Sequence, residues 1–156
     1  MEKIIENAWL NQVSEVQLTY KNKVKPALRP KLTNGADAAK LLRSVWDEDR
    51  IEYQEQFKVV FLNTALRVLG IINLNDGGMA ECSVDIRMLF AAALKAAATG
   101  IMLAHNHPSG NLTPSGPDIR MTEKIRDAAK LLDIKLLDHL ILSADGYLSM
   151  AEEGHL

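Results

Sequence analysis

Two short β-rich runs stand four residues apart, and two long helical patterns follow, each leading into another β-rich run. This order limits the possible folds more than any other feature of the chain. FKVVFL (57–62) and RVLGIINL (67–74) read as strands, and the link Asn63 to Leu66 is short enough for a hairpin. Asn75-Asp76-Gly77-Gly78 ends that pair. From Val84 to Thr99 the pattern is helical, with Leu89, Phe90, Ala93, Leu94 and Ala97 on one face. Ser83 is placed to cap that helix and Gly100 to stop it. Ile101 to Ala104 is a short strand running into His105, and HNHPSGNLTPSGPD then reads as a loop. A second helix is expected from about Asp118 to Leu132, with Ile125, Ala129 and Leu132 facing inward. Lys135 to Leu142 is a strand, Ala144-Asp145-Gly146 a turn, and Tyr147 to Met150 a last strand. A hairpin joined to helical crossovers gives an α/β fold, a mixed β-sheet flanked by helices.

Upstream, Val16, Leu18 and Tyr20 alternate with polar residues within 13–25, which reads as one or two strands. Pro26, Pro30 and Asn34-Gly35 break the chain, and a helical pattern with Ala39, Leu42, Val45 and Trp46 begins at Ala36. The expected organisation is an N-terminal extension over 1–30 and one domain over 31–152. A length of 156 residues suits one ordinary domain. An apolar fraction of 47% and a charged fraction of 24% argue against disorder. The net charge of −2 gives no global attraction to nucleic acid or anionic lipid. Lys21, Lys23, Lys25, Arg29 and Lys31 form a local basic run, which reads first as a solvated face and second as a phosphate contact. Cys82 has no partner cysteine, and Cys82 reads as structural. No signal-peptide pattern and no apolar run of membrane-spanning length occurs, so the expectation is a cytoplasmic protein without a membrane partner.

His105 and His107 carry the chemistry. At i and i+2 on extended backbone they point to one face, so both imidazoles can reach one metal ion. Asp118 stands at the expected helix start, and the Gly/Pro-rich loop can fold back to bring it near them. Two histidines and one carboxylate make three ligands and leave a fourth tetrahedral position for water, the pattern of catalytic rather than structural zinc. Zinc would lower the pKa of that water to about 7. Each piece also has a plain reading. An H-x-H pair can simply end a strand, and Ser115 with Asp118 reads equally well as a capping box. The combined spacing H-x-H-x7-S-x2-D is much harder to obtain by accident. His139 reads as a hydrogen-bonded structural histidine, with a supporting role behind the ligands as its alternative. The letters HNH at 105–107 do not make an HNH nuclease, whose residues are dispersed in that fold.

His105, His107, Ser115 and Asp118 resemble the metal motif of JAB/MPN domains, the JAMM metallo-isopeptidases. The wider string AHNHPSGNLTPS, followed by Asp118, is similar to the RadC-like branch of that superfamily. The acid before the 57–62 strand and the ending from Asp138-His139 to Tyr147-Leu148-Ser149 add to the likeness, which covers roughly residues 30 to 150. The resemblance implies a JAB/MPN (cytidine-deaminase-like) architecture and one zinc ion per chain. It also implies a glutamate before a strand as general acid/base. Glu55 holds that position, with Glu52 and Glu81 as rivals, and Ser115 would stabilise the oxyanion. RadC-like proteins usually carry a helix-hairpin-helix region as well, for which this chain has no room on this reading.

The expected function is a zinc-dependent metallo-hydrolase, a peptidase or isopeptidase acting on a protein or peptide. The alternatives are a DNA-repair-associated accessory factor, supported here only by the basic run, and a non-catalytic MPN interaction module. Scaffold versions of the domain typically lack the ligands, which this chain keeps. Nucleic-acid binding is expected to be weak or absent, and an exposed strand edge makes a homodimer plausible.

Overall fold

The computed structural model describes residues 17, 19–76 and 84–156. Its elements are α1 (Gly35–Val45), β1 (Gln56–Leu62), β2 (Val68–Asp76), α2 (Ile86–Lys95), β3 (Gly100–Asn106), α3 (Gly116–Leu131), β4 (Lys135–Leu142) and β5 (Tyr147–Ser149). The strands form one mixed sheet in the order β2-β1-β3-β4-β5. β1 pairs antiparallel with β2 and β3, β3 pairs parallel with β4 through α3, and β4 pairs antiparallel with β5. The mixed α/β sheet read from the sequence is the fold, and it is consistent with a JAB/MPN-like domain.

Every residue of β1 and β3 is buried, because the sheet is covered on both faces. Val60, Leu62, Met102, Ala104, Leu140 and Leu142 pack with Ala38, Ala39 and Leu42 of α1. Phe57, Val59, Phe61, Ile101 and Leu103 pack with Leu89, Phe90 and Ala93 of α2 and with Ile125 and Ala129 of α3. Strand alternation thus sends the odd positions of β1 and β3 toward α2 and α3 and the even positions toward α1. His105 is an odd position, so it faces the helix that carries Asp118.

Several local expectations are corrected. Residues 19–25 form no strand, and the rest of the expected strand, at 13–16 and 18, lies outside the described residues. Tyr20 is 45% exposed. It meets β2 by side chain instead. Tyr20 Oη and Asn22 Nδ2 donate to the Leu69 carbonyl at 3.3 and 3.0 Å. α2 is shorter than the pattern suggested. Asp85 caps it, its Oδ1 accepting from the amides of Arg87 (2.9 Å) and Met88 (3.3 Å). Ser83, the expected cap, lies outside the described residues, as do Glu81 and Cys82. The helix stops before Gly100 because Ala97 turns left-handed at φ 52° and the Ala98 amide reaches back to the Ala93 carbonyl. Leu94 and Ala97 therefore stay exposed, as do Val45 on α1 and Leu132 after α3. Each sits at or near a helix end.

The C-terminal edge is tied down by Asp138 on β4, which is buried. Its Oδ1 accepts from the amides of His139 (2.7 Å) and Ala151 (3.0 Å), and its Oδ2 accepts from Ser149 Oγ (2.6 Å). Asp138→Ala leaves these donors without the acceptor they now share. At about 1–3 kcal/mol for a buried unsatisfied group, the expected loss of stability is about 2–4 kcal/mol, read by urea unfolding. An unchanged midpoint would mean that water replaces the carboxyl at no cost.

Candidate metal centre

β3 and the loop after it deliver the two histidines. His105 is buried at the strand end, and His107 lies one residue beyond it, its amide held by the Leu142 carbonyl at 2.9 Å. β1 delivers Glu55, the residue just before its first. Phe57 pairs with His105 across the ladder, and Glu55 has the parity of Phe57. Phe57 also stacks on His105, with centroids 6.2 Å apart and planes 13° apart. α3 delivers Asp118 from its first turn, where the capping box read from the sequence is formed. Ser115 Oγ accepts from the Asp118 amide at 3.2 Å. In return Asp118 Oδ2 accepts from the Ser115 amide (2.7 Å) and from Ser115 Oγ (2.6 Å). Cap and site coexist because Asp118 still has lone pairs to offer the histidines.

The structure brings Glu55, His105, His107 and Asp118 together. One donor atom from each lies within 4.8 Å of the others, a group able to hold a metal ion. The tightest triangle joins His105, His107 and Asp118. Their Nε2 atoms are 2.9 Å apart, and Asp118 oxygens lie 3.3 Å from His105 Nε2 and 3.4 Å from His107 Nε2. Donors about 2.0–2.1 Å from a tetrahedral metal stand about 3.3 Å apart, a spacing that the two histidine–carboxylate contacts match and the 2.9 Å between the Nε2 atoms falls short of.

The hydrogen bonds behind the histidines orient both rings. His107 Nδ1 lies 2.6 Å from the Asn111 carbonyl, which can only accept, so Nδ1 carries the proton and Nε2 presents a lone pair. Behind His105 runs a buried chain. Thr122 Oγ1 donates to the Asp118 carbonyl (2.6 Å) and contacts His139 Nδ1 (2.6 Å), while His139 Nε2 contacts His105 Nδ1 (2.8 Å). With the Thr122 proton committed to the carbonyl, each next group donates in turn, and His105 Nε2 is left bare toward Asp118. This assignment follows from the hydrogen-bond partners. Two lone pairs and a carboxylate then converge with no proton between them, which suits a cation. With no ion bound, Asp118 favours adding a proton to this gap, one that a cation would displace. The hydrogen bond to Asp118 raises the His107 pKa above the usual imidazole value, outweighing burial. Burial pushes the Asp118 carboxyl up, but hydrogen bonds from His105 and His107 bring it far below the usual carboxylate range. His139 is held neutral by burial.

Glu52 is exposed and takes no part in the cluster, and Glu81 lies outside the described residues. The centre opens into a cleft of about 710 Å³, whose walls include Val84, Ile86, Met121, Arg120 and Lys124. Ser115 lines this cleft beside Asp118. Sequence reasoning missed Thr122 and Asn106. Thr122 had a faint signal, standing one helical turn after Asp118. His155, near the C-terminus, is exposed.

Among the described residues no helix is long and apolar enough to cross a membrane. A family model described as RadC-like JAB domain matches residues 32–155. A UPF0758 protein of Flavobacterium johnsoniae is 38% identical over 143 residues, covering 91% of this chain and 61% of its own length. A UPF0758 protein of Porphyromonas gingivalis is 44% identical over 104 residues, 66% of this chain and 46% of the relative. One from Clostridium perfringens is 34% identical over 152 residues, 97% of this chain and 66% of the relative. The chain thus spans between 46% and 66% of the length of these relatives. With the mixed sheet and the histidine–carboxylate cluster, the match over residues 32–155 shows that the chain belongs to the RadC-like JAB domain family.

Proposed function

We propose that the domain over 31–152 is a zinc-dependent hydrolase of amide or isopeptide bonds. In this reading His105, His107 and Asp118 hold one zinc ion, Glu55 is the general acid/base and Ser115 assists at the oxyanion. The observation that carries it is the convergence of two bare Nε2 atoms and the Asp118 carboxylate, with a further carboxylate within 4.8 Å. When bound, zinc supplies Lewis acidity and a water that ionises near neutral pH. Glu55 takes a proton from a water in the cleft and hands it to the leaving amine nitrogen. Its burial beside the cluster keeps that proton out of bulk solvent. Ser115 Oγ now donates to Asp118 Oδ2, so it must rotate to reach an oxyanion. The Ser115 amide keeps its hold on the same oxygen meanwhile. His139 and Thr122 keep the His105 ring in place.

The test is to screen metal-loaded and chelator-treated protein against amide and isopeptide substrates, and against plasmid, linear and single-stranded DNA with zinc, magnesium and manganese. Chelator-sensitive amide hydrolysis without DNA cleavage is expected. Phosphodiester cleavage more often uses two metals about 4 Å apart, and no second ligand cluster occurs among the described residues. DNA cleavage abolished by His107→Ala would overturn the reaction class and keep the ligands.

Lys21, Lys23 and Lys25 are exposed. With a net charge of −2 they support only weak, sequence-independent DNA binding, lost between about 50 and 200 mM salt. Fluorescence anisotropy across that range is the check, and tight binding at high salt would favour a DNA-associated role.

A further inference from the structure

Asn106 stands between the two histidines of the cluster, and strand alternation sends its side chain to the opposite face of the sheet. It is fully buried there. Its amide makes three hydrogen bonds, all to the backbone of the segment that leads into β1 and of that strand's first residue. Nδ2 donates to the carbonyls of Ile51 (2.7 Å) and Gln54 (3.0 Å), and Oδ1 accepts from the Gln56 amide (2.8 Å). Glu55 lies between the last two of these anchors. The β1–β3 ladder begins only at Phe57 paired with His105, so no ladder pairing with β3 holds residue 55. The Asn106 amide holds the backbone on both sides of Glu55, alongside the Gln54 amide's bond to the Arg50 carbonyl (2.8 Å) and the pairing of Gln56 with Asp76 of β2.

We propose that Asn106 is a positioning residue for Glu55. The backbone that aims His105 and His107 at the ion also grips the Ile51–Gln56 segment through Asn106, so ligands and proton-transfer group are set from one strand end. Only an amide fits the role, because it must donate twice and accept once. Aspartate has the same shape and keeps the acceptor for Gln56, but it places oxygen against the carbonyls of Ile51 and Gln54. The role rests on Glu55 being the proton-transfer group, and the test separates the two ideas.

The experiment compares wild type, N106D, E55Q and the double variant as full chains loaded with cobalt(II). N106S serves if N106D melts too early to be loaded. Three readouts are taken: cobalt content, paramagnetic broadening of the Glu55 carboxyl carbon with amide exchange over residues 52–56, and kcat separately from KM. N106D is expected to hold cobalt as wild type does. Its Glu55 carboxyl signal should be less broadened, and the amides of 52–56 should exchange at least about 10-fold faster. Its kcat should fall at least about 10-fold with little change in KM, and the double variant should be no slower than E55Q. Unchanged broadening, full kcat, or cobalt lost in step with activity would each overturn the proposal, the last by making Asn106 a support of the ligands. If wild type binds cobalt but hydrolyses nothing, the hydrolase reading fails, while broadening and exchange still decide the role of Asn106. A wild-type chain that binds no cobalt overturns both.

Discussion

His107→Ala and Asp118→Ala are each expected to strip the chain of the metal proposed for it. Wild-type protein dialysed against metal-free buffer is expected to keep one zinc per chain, and each variant to keep almost none. The reason is geometric. The two Nε2 atoms are 2.9 Å apart, Asp118 Oδ1 lies 3.3 Å from that of His105 and Oδ2 3.4 Å from that of His107, so removing one residue leaves two donors where three would hold the ion. Loss of an outer partner alone costs about 10- to 100-fold in affinity, and loss of a direct ligand costs more. Asp118→Ala also removes the acceptor in the capping box of α3, so about 1 kcal/mol of stability should go with the metal. His107→Ala has no such second effect, and the pair therefore separates metal loss from helix fraying. Elemental analysis reads the first quantity and thermal melting the second. Undiminished zinc in the double variant would remove these residues from the ligand set.

Glu55→Gln should do the reverse, keeping the metal and losing the reaction. Glutamine has nearly the shape of glutamate but cannot take up and release a proton, so kcat should fall by about 10²–10⁴ with zinc retained. Glu55 is buried and lies within 4.8 Å of the other donors, so two roles are open to it, ligand and base. Zinc content in this variant decides between them. Zinc lost together with activity makes Glu55 a fourth ligand. Zinc and full activity both retained would move proton transfer elsewhere, and Glu52, exposed and outside the cluster, would have to reach inward to serve.

Much of this protein is legible in its sequence for local reasons. β1, β3 and the second half of β4 are buried because helices cover both faces of the sheet, so each reads as a short, mainly apolar β-rich run. The period of two puts His105 and His107 on one face, and the x7-S-x2-D spacing puts Asp118 in a capped first turn. Glu55 came from family resemblance, since nothing local separates one surface acid from another. Of the N-terminal alternation, residues 19–25 form no strand, while Val16 and Leu18 lie outside the described residues. Tyr20, which ends it, meets β2 through its hydroxyl, which donates to the Leu69 carbonyl and accepts from Asn22 Nδ2.

What tertiary structure decided is how the pieces are held. Asn106 in the string HNH carries no signal, because its three partners are backbone atoms 50 to 55 residues away, and backbone atoms leave no trace in sequence. The orientation of His105 likewise depends on His139 and Thr122, 34 and 17 residues apart from their partners in the chain and joined only when β3, β4 and α3 pack. Spacing along a strand or helix fixes which side chains share a face. Which lone pair a buried ring presents, and which loop a buried amide grips, is set only where separate elements meet.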